Sequence, residues 1–102
     1  MRWWTRWRMG AVCADYKALL DRFLDGAMPT ATFRTLYFKR FKEETRYMSS
    51  DLFEVLDGLF ADLDGLTDDP ELLAAKPDYF IDEARLRARV QAASRRLASF
   101  TA

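Results

Sequence analysis

Residues 49–64 read SSDLFEVLDGLFADLD and carry the strongest secondary-structure signals of the chain. Apolar residues recur at positions 52, 55, 56, 59, 60 and 63, a spacing that places them on one face of a helix. The two serines and the aspartate that open the stretch are candidate N-caps, because their side-chain oxygens can accept the free amides of a first turn. Gly65 follows as a stop signal. The stretch predicts an amphipathic helix over 51–64.

Three further segments show helical spacing, and none of comparable length alternates like a strand. They predict helices over 12–25, 31–46 and 83–99, and about sixteen residues separate the last two of the four helices. The predicted core residues are Leu20, Phe23, Phe33, Tyr37, Phe41, Leu56, Leu59, Leu86, Val90 and Leu97. Because two links are short and one is long, the expected fold is all-α, an antiparallel four-helix bundle.

Length and composition fit one globular domain, since the chain has 102 residues and half of them are apolar. No apolar run approaches the ~18–20 residues needed to cross a bilayer, and no signal-peptide core forms near the start. We therefore expect a cytoplasmic protein without membrane association. The single cysteine, Cys13, has no partner for an internal disulfide and is expected to be a small packed residue.

Residues 1–10 read MRWWTRWRMG and differ in composition from the single domain expected over 11–102. Interleaved Trp and Arg can sit at a membrane interface or stack on nucleic-acid bases. The alternatives are that the Trp rings cover one edge of the bundle, that the segment is a frayed arm, or that translation starts naturally at Met9. We expect only weak, unspecific nucleic-acid binding from this arm.

The sequence is poorly supplied for catalysis. It has no histidine, which removes the usual neutral-pH base and the commonest metal ligand. Its four glycines form no phosphate-binding loop, and the spacing of its carboxylates does not match a calcium loop. We therefore predict no catalytic residues, no metal site and no cofactor.

Charge is strongly segregated although the net charge is zero. Residues 1–50 hold ten bases and five acids, whereas residues 51–102 hold six bases and eleven acids. All eleven acids lie between Asp51 and Glu83, where Lys76 is the single base. Such a segment repels itself and attracts basic surfaces over about 8–10 Å. It indicates a protein that docks onto a cationic partner.

On the third predicted helix, Glu54, Asp57, Ala61 and Asp64 fall along one outward strip opposite the apolar face. Acidic residues continue from this strip through the long connection to Asp82 and Glu83. A solvated acidic face is the usual meaning of such a run, but a neutral surface would have lysine interspersed. Persistent self-repulsion favours a partner that neutralises it.

Two motifs resemble those of colicin D-type bacterial immunity proteins, small self-protective antitoxins. They are EVLDGLFADLD at residues 54–64 and IDEARLR at residues 81–87. The segment LLDRFL at residues 19–24, the pair Thr32-Phe33 and the pair Phe38 and Phe41 fit the same layout, so the resemblance covers about residues 12–100. The chain departs from the pattern after Asp64, where an aromatic residue is expected and Gly65 is present.

The resemblance implies an antiparallel four-helix bundle that binds the nuclease domain of a cognate toxin, typically a tRNA-cleaving one. Its acidic residues would occupy the basic cleft meant for RNA phosphates. The motifs carry this toxin-binding role to Asp57, Asp62, Asp64, Asp82 and Glu83. Four more residues are assigned the toxin-binding role from their charge alone: Asp68, Asp69, Glu71 and Asp78.

The expected partner is therefore a toxin protein, bound by a monomer in a 1:1 complex without direct nucleic-acid contact. The sequence leaves two alternative functions open. One is a generic helical adaptor for another basic protein, and the other is a weak nucleic-acid or membrane binder that uses the N-terminal arm.

Overall fold

The computed structural model describes the backbone of residues 3–101 and the side chains of residues 10–100. In this part of the chain there are five helices: α1 (Trp3–Leu24), α2 (Thr30–Lys42), α3 (Ser50–Asp64), α4 (Pro70–Ala75) and α5 (Glu83–Thr101). No strand occurs among the described residues, and the predicted all-α class is confirmed. The short α4 lies at the helical turn that follows Pro70 in the long connection.

Helix α1 begins at Trp3, nine residues earlier than predicted. No proline interrupts residues 3–24, and a single glycine at position 10 costs a helix only about 1 kcal/mol. From Trp3 onward, the backbone of the predicted arm is therefore continuous with α1. The Trp and Arg side chains on which the membrane and nucleic-acid alternatives depend lie outside the described residues.

Helix α2 ends at Lys42, four residues before the predicted end. The reason is a polar cluster that turns the chain. Glu44 accepts hydrogen bonds from the Tyr16 hydroxyl at 3.1 Å and from both the backbone and the guanidinium of Arg46 at 2.9 Å. Arg46 also pairs with Asp15 at 2.7 Å. These contacts fasten the link between α2 and α3 to α1.

The long helices close into a bundle, because α1 and α3 each pack against both α2 and α5. The ring of Phe23 stacks on that of Phe33 with centroids 4.3 Å apart, and Tyr16 meets Tyr37 edge-on at 5.8 Å. Since residue numbers rise along α1 as they fall along α2, these two helices run in opposite directions.

The core contains nine of the ten predicted residues in buried positions, and Phe41 alone is half-buried. Residues outside that list fill the same interior: Val12, Cys13, Tyr16, Leu52, Leu63 and Ile81. Of these, Cys13 was expected to be packed and Leu52 and Leu63 to lie on the apolar face of α3, whereas Val12 and Ile81 were not predicted. Burial raises the pKa of the Cys13 thiol, which fits the packed role expected for it.

The long connection is closed at its base. Ile81 donates a backbone hydrogen bond to the Gly65 carbonyl at 2.9 Å and accepts one from the Thr67 amide at 3.0 Å, which forms an isolated parallel bridge. At Gly65 a side chain would collide with the neighbouring backbone, because an added Cβ would lie 2.1 Å from the Tyr79 carbonyl oxygen. Glycine at position 65 is therefore required for close approach.

We predict that Gly65→Ala lowers the free energy of unfolding by about 1–3 kcal/mol, because the backbone must move to relieve the collision. Gly58→Ala is the matched control: Gly58 is exposed within α3 and its added Cβ meets nothing within 4 Å. That substitution should stabilise by about 0.5–1 kcal/mol through helix propensity. Urea unfolding followed by circular dichroism measures both. Equal stability of the two variants would contradict the close approach at Gly65.

A second prediction concerns Glu44, whose side chain is 7% exposed and whose pKa the Arg46 hydrogen bonds lower to about 2. Because the folded pKa lies below the ordinary 4.5, ionised Glu44 stabilises the fold above pH 4.5, and this contribution fades as the pH falls toward about 2. Glu44→Gln should unfold more easily at neutral pH and lose less stability over that acid range. Glu54→Gln, on an exposed side chain, should keep the wild-type profile in the same urea titrations.

Candidate functional site

The outer face of α3 carries three exposed carboxylates, Glu54, Asp57 and Asp64. Together with exposed Ala61 they form a line that we call the acidic strip. Four leucines on the opposite side of the helix are buried: Leu52, Leu56, Leu59 and Leu63. The predicted outward placement of the strip is confirmed, because this buried face fixes the rotation of α3.

The acidic strip has no ion-pair partner among the described side chains. Among the described residues, no Lys or Arg nitrogen lies within 4.0 Å of a strip carboxylate. Asp64 accepts a hydrogen bond from the Tyr79 hydroxyl, a neutral group whose pKa is raised by this bond. Helix α3 contains no basic residue in its own sequence. The negative charge of the strip is therefore available to a partner.

Asp62 differs from the strip residues. Its side chain is 21% exposed and lies 3.6 Å from the guanidinium of Arg89 on α5. Desolvation raises the pKa of the Asp62 carboxyl, and the charges of Arg89 and Arg85 oppose that effect. The structure thus places Asp62 between α3 and α5, away from the other predicted residues of the helix.

The carboxylates of the long connection have different surroundings. Asp69 caps α4 by accepting the Glu71 amide at 2.9 Å, and this bond satisfies one of the free donors of the first turn. Asp68, Glu71 and Asp78 are exposed, and none of the described basic side chains forms an ion pair with them.

Asp82 and Glu83 stand at the start of α5 and have structural partners. Asp82 accepts the Arg85 amide at 2.8 Å, which is an N-cap interaction, and Glu83 accepts a hydrogen bond from the Thr30 hydroxyl at the start of α2. Both carboxylates also contribute to the stability of this end of the bundle. A substitution there therefore tests folding and binding together.

A cleft of about 520 Å³ brings three of the predicted residues together. Its polar lining comes from α2, from the connection and from the start of α5: Thr30, Arg34, Thr35, Thr67, Asp68, Asp82 and Glu83. Arg34 is held at this place because its Nε donates to the Leu63 carbonyl at the end of α3, at 2.9 Å. Three carboxylates and the guanidinium of Arg34 thus line one cleft.

Four phenylalanine rings, which we call the aromatic seam, line the junction of α2 and α3. Phe38 and Phe60 have centroids 4.8 Å apart, and Phe41 lies 5.5 Å from Phe60 and 5.9 Å from Phe53. Phe53 is 47% exposed, and the other three rings are half-buried. Sequence reasoning missed Phe53 as a surface feature. The sequence pattern that could have identified it is an aromatic residue outside the apolar stripe of α3, one turn before Asp57.

The described residues contain no group of three His, Cys, Asp or Glu side chains placed to hold a metal ion. In the same part of the chain, none of the helices is both long and apolar enough to span a membrane. On the outer side of α3, the carboxylates of the acidic strip lie beside the exposed ring of Phe53.

A family model described as bacterial self-protective colicin-like immunity matches residues 11–97. The matched range includes the acidic strip, the closed connection and most of α5. Comparison with curated proteins and comparison with solved structures each found no match.

The contrast between Asp62 and Asp57 yields a prediction about stability. A raised folded pKa means that ionised Asp62 opposes folding above its ordinary pKa of 3.8, and this penalty disappears once the carboxyl is protonated in both states. Asp62→Asn should therefore raise the free energy of unfolding at about pH 7, and the advantage should vanish at about pH 3.

Asp57→Asn, the control on the exposed strip, should change stability by less than about 0.5 kcal/mol. Urea unfolding at the two pH values measures both variants. A loss of stability in Asp62→Asn at neutral pH would mean that attraction to Arg89 outweighs desolvation.

Proposed function

This chain belongs to the bacterial self-protective colicin-like immunity family. We propose that it blocks the active site of a cognate nuclease toxin with an acidic face, which consists of the acidic strip and the carboxylates of residues 68–83. Proteins of this family are inhibitors and not enzymes. The toxin class that fits the face best is a ribonuclease, and a tRNA-cleaving one is the proposal that the resemblance to colicin D-type proteins supports.

One observation carries the proposal: the acidic strip is exposed, and no described cation pairs with it. A nuclease lines its substrate cleft with Lys and Arg because it must bind phosphates. Carboxylates that enter such a cleft form charge-assisted hydrogen bonds with the same side chains. An acidic strip on a rigid helix can therefore occupy the phosphate positions and exclude RNA.

The cleft between α2 and α5 extends this surface. Asp68, Asp82 and Glu83 line it and lie beyond the C-terminal end of α3. A toxin that contacts the strip can place a lysine or arginine there, where a cavity of about 520 Å³ is available. Asp69, Glu71 and Asp78 complete the proposed rim from the connection. In this proposal rim charges accelerate association and contribute less to the lifetime of the complex.

The proposed complex contains one immunity protein and one toxin domain and forms in the cytoplasm. A 1:1 stoichiometry suits active-site blockage, because a nuclease domain has one cleft to fill. The proposal requires no nucleic acid and no membrane. Light scattering of the purified complex gives the stoichiometry directly.

We predict that the double variant Glu54→Gln/Asp57→Asn loses protection while keeping its fold. Neutralising one member of a desolvated charge pair in an interface costs about 2–5 kcal/mol, whereas neutralising exposed groups leaves stability nearly unchanged. An immunity gene is expected directly downstream of its toxin gene, so cells should express the nuclease toxin found at that position together with each variant. Survival and the Kd for the purified nuclease domain are the measurements.

The matched control is Asp25→Asn/Glu43→Gln, which removes the same charge from exposed residues outside the acidic face. It should protect as well as the wild-type protein. Circular dichroism confirms that both variants are folded. Full protection by the Glu54/Asp57 variant would show that the acidic strip is only a solvated face.

A further inference from the structure

The aromatic seam has two ends with different surroundings. At one end Arg34 lies 5.1 Å from the ring centre of Phe38, and Lys42 lies 5.5 Å from Phe38 and 5.9 Å from Phe60. At the other end, no described cation lies over Phe53, although 47% of that residue is exposed. The seam thus contacts Arg34 and Lys42 at one end, and at the other end it presents a ring that none of the described cations covers.

Phe53 also lies beside the acidic strip. Phe53, Asp57, Phe60 and Asp64 follow one another at intervals of four, three and four residues, so they form one line along α3. Glu54 adjoins the same end of this line and is exposed. An aromatic face and two carboxylates that have no described ion-pair partner therefore meet within about one helical turn.

We infer that Phe53, Glu54 and Asp57 together form a subsite for one arginine side chain of the toxin. The inference rests on the proposed function and identifies the apolar part of the inhibitory surface. A planar guanidinium can stack on an aromatic ring while its N–H groups bind a carboxylate at its edge. Lysine, a compact point charge, uses the ring less well.

Charge complementarity identifies a basic protein as the occupant in preference to a second copy of this chain. A symmetric dimer through this face would bring one acidic strip against another, because an isologous contact pairs the same patch on both subunits. Helix α3 supplies no basic residue to offset that repulsion. A toxin cleft lined with cations gives the opposite sign at every contact.

The energetic role follows from the anatomy of interfaces. Binding energy concentrates in a few aromatic and arginine contacts near the centre, and energetically near-neutral contacts around them exclude water. The ring of Phe53 packs against the half-buried ring of Phe41, with centroids 5.9 Å apart, and is therefore partly preorganised. Loss of its ring should accelerate dissociation more than it slows association.

Phe53→Ala tests the inference, and Tyr47→Ala is the matched control. Tyr47 is 52% exposed and none of the described rings forms a ring contact with it. Binding to the purified nuclease domain of the toxin used in the survival test is measured by interferometry. We expect Phe53→Ala to weaken binding by about tenfold or more, mainly through faster dissociation, and Tyr47→Ala to stay within about threefold.

Two further variants at position 53 distinguish the effect of the aromatic π face from the effect of apolar side-chain volume. Phe53→Leu keeps an apolar side chain without a π face and should bind weakly, whereas Phe53→Trp should bind as well as the wild-type protein. A double-mutant cycle with Asp57→Asn should show coupling, because both side chains contact the same arginine. Thermal melts followed by circular dichroism verify that every variant is folded.

The outcomes distinguish this inference from the proposed function. If Glu54→Gln/Asp57→Asn loses binding but Phe53→Ala and Phe53→Leu keep it, the arginine subsite is refuted and the inhibitory role stands. If the wild-type protein does not bind the nuclease domain, the proposed function itself fails and the subsite falls with it. A wild-type dimer that Phe53→Ala dissociates would assign the ring to self-association and overturn the inference.

Discussion

Burial of the leucine face of α3 is the constraint on which the proposed toxin-binding surface depends. Leu52, Leu56, Leu59 and Leu63 fill the space facing the other long helices, and each buried leucine contributes about 1.5–3 kcal/mol relative to exposure. Turning α3 by one residue would expose part of this face and bury carboxylates in its place. The core therefore sets the direction in which Glu54, Asp57 and Asp64 point, with no polar contact required to aim Glu54 and Asp57.

The acidic residues divide into those that the fold uses and those that it leaves free. Asp69 and Asp82 cap helices, Glu83 joins the starts of α2 and α5, and Asp62 lies between α3 and α5. Glu54 and Asp57 have no such structural partner among the described residues. Negative charge that costs self-repulsion and supports no helix terminus is best explained by an external partner. The division also explains why charge neutralisation at different positions has different consequences.

Sequence predicted those parts of the fold whose determinants are local. Capping residues and apolar spacing placed α3 within one residue of its observed start at Ser50. The end of α2 was wrong because Glu44 turns the chain through contacts with Tyr16, twenty-eight residues away, which no local pattern contains. Asp62 and Asp57 look alike in sequence, and only the position of α5 separates them. Phe53 was missed because periodicity identifies buried stripes and says little about an aromatic residue outside them.

The closed base of the connection between α3 and α5 has an evolutionary consequence. The two backbone hydrogen bonds at Ile81 and the buried side chain of that residue hold the ends of the segment together, and most residues between them are exposed. Substitutions in this interior therefore leave the bundle core largely undisturbed. These positions can therefore change at little cost to the core, whereas Gly65 and the buried leucines of α3 cannot. Within the connection, most positions can then vary independently of the residues that maintain the fold, as in other loop-bearing scaffolds.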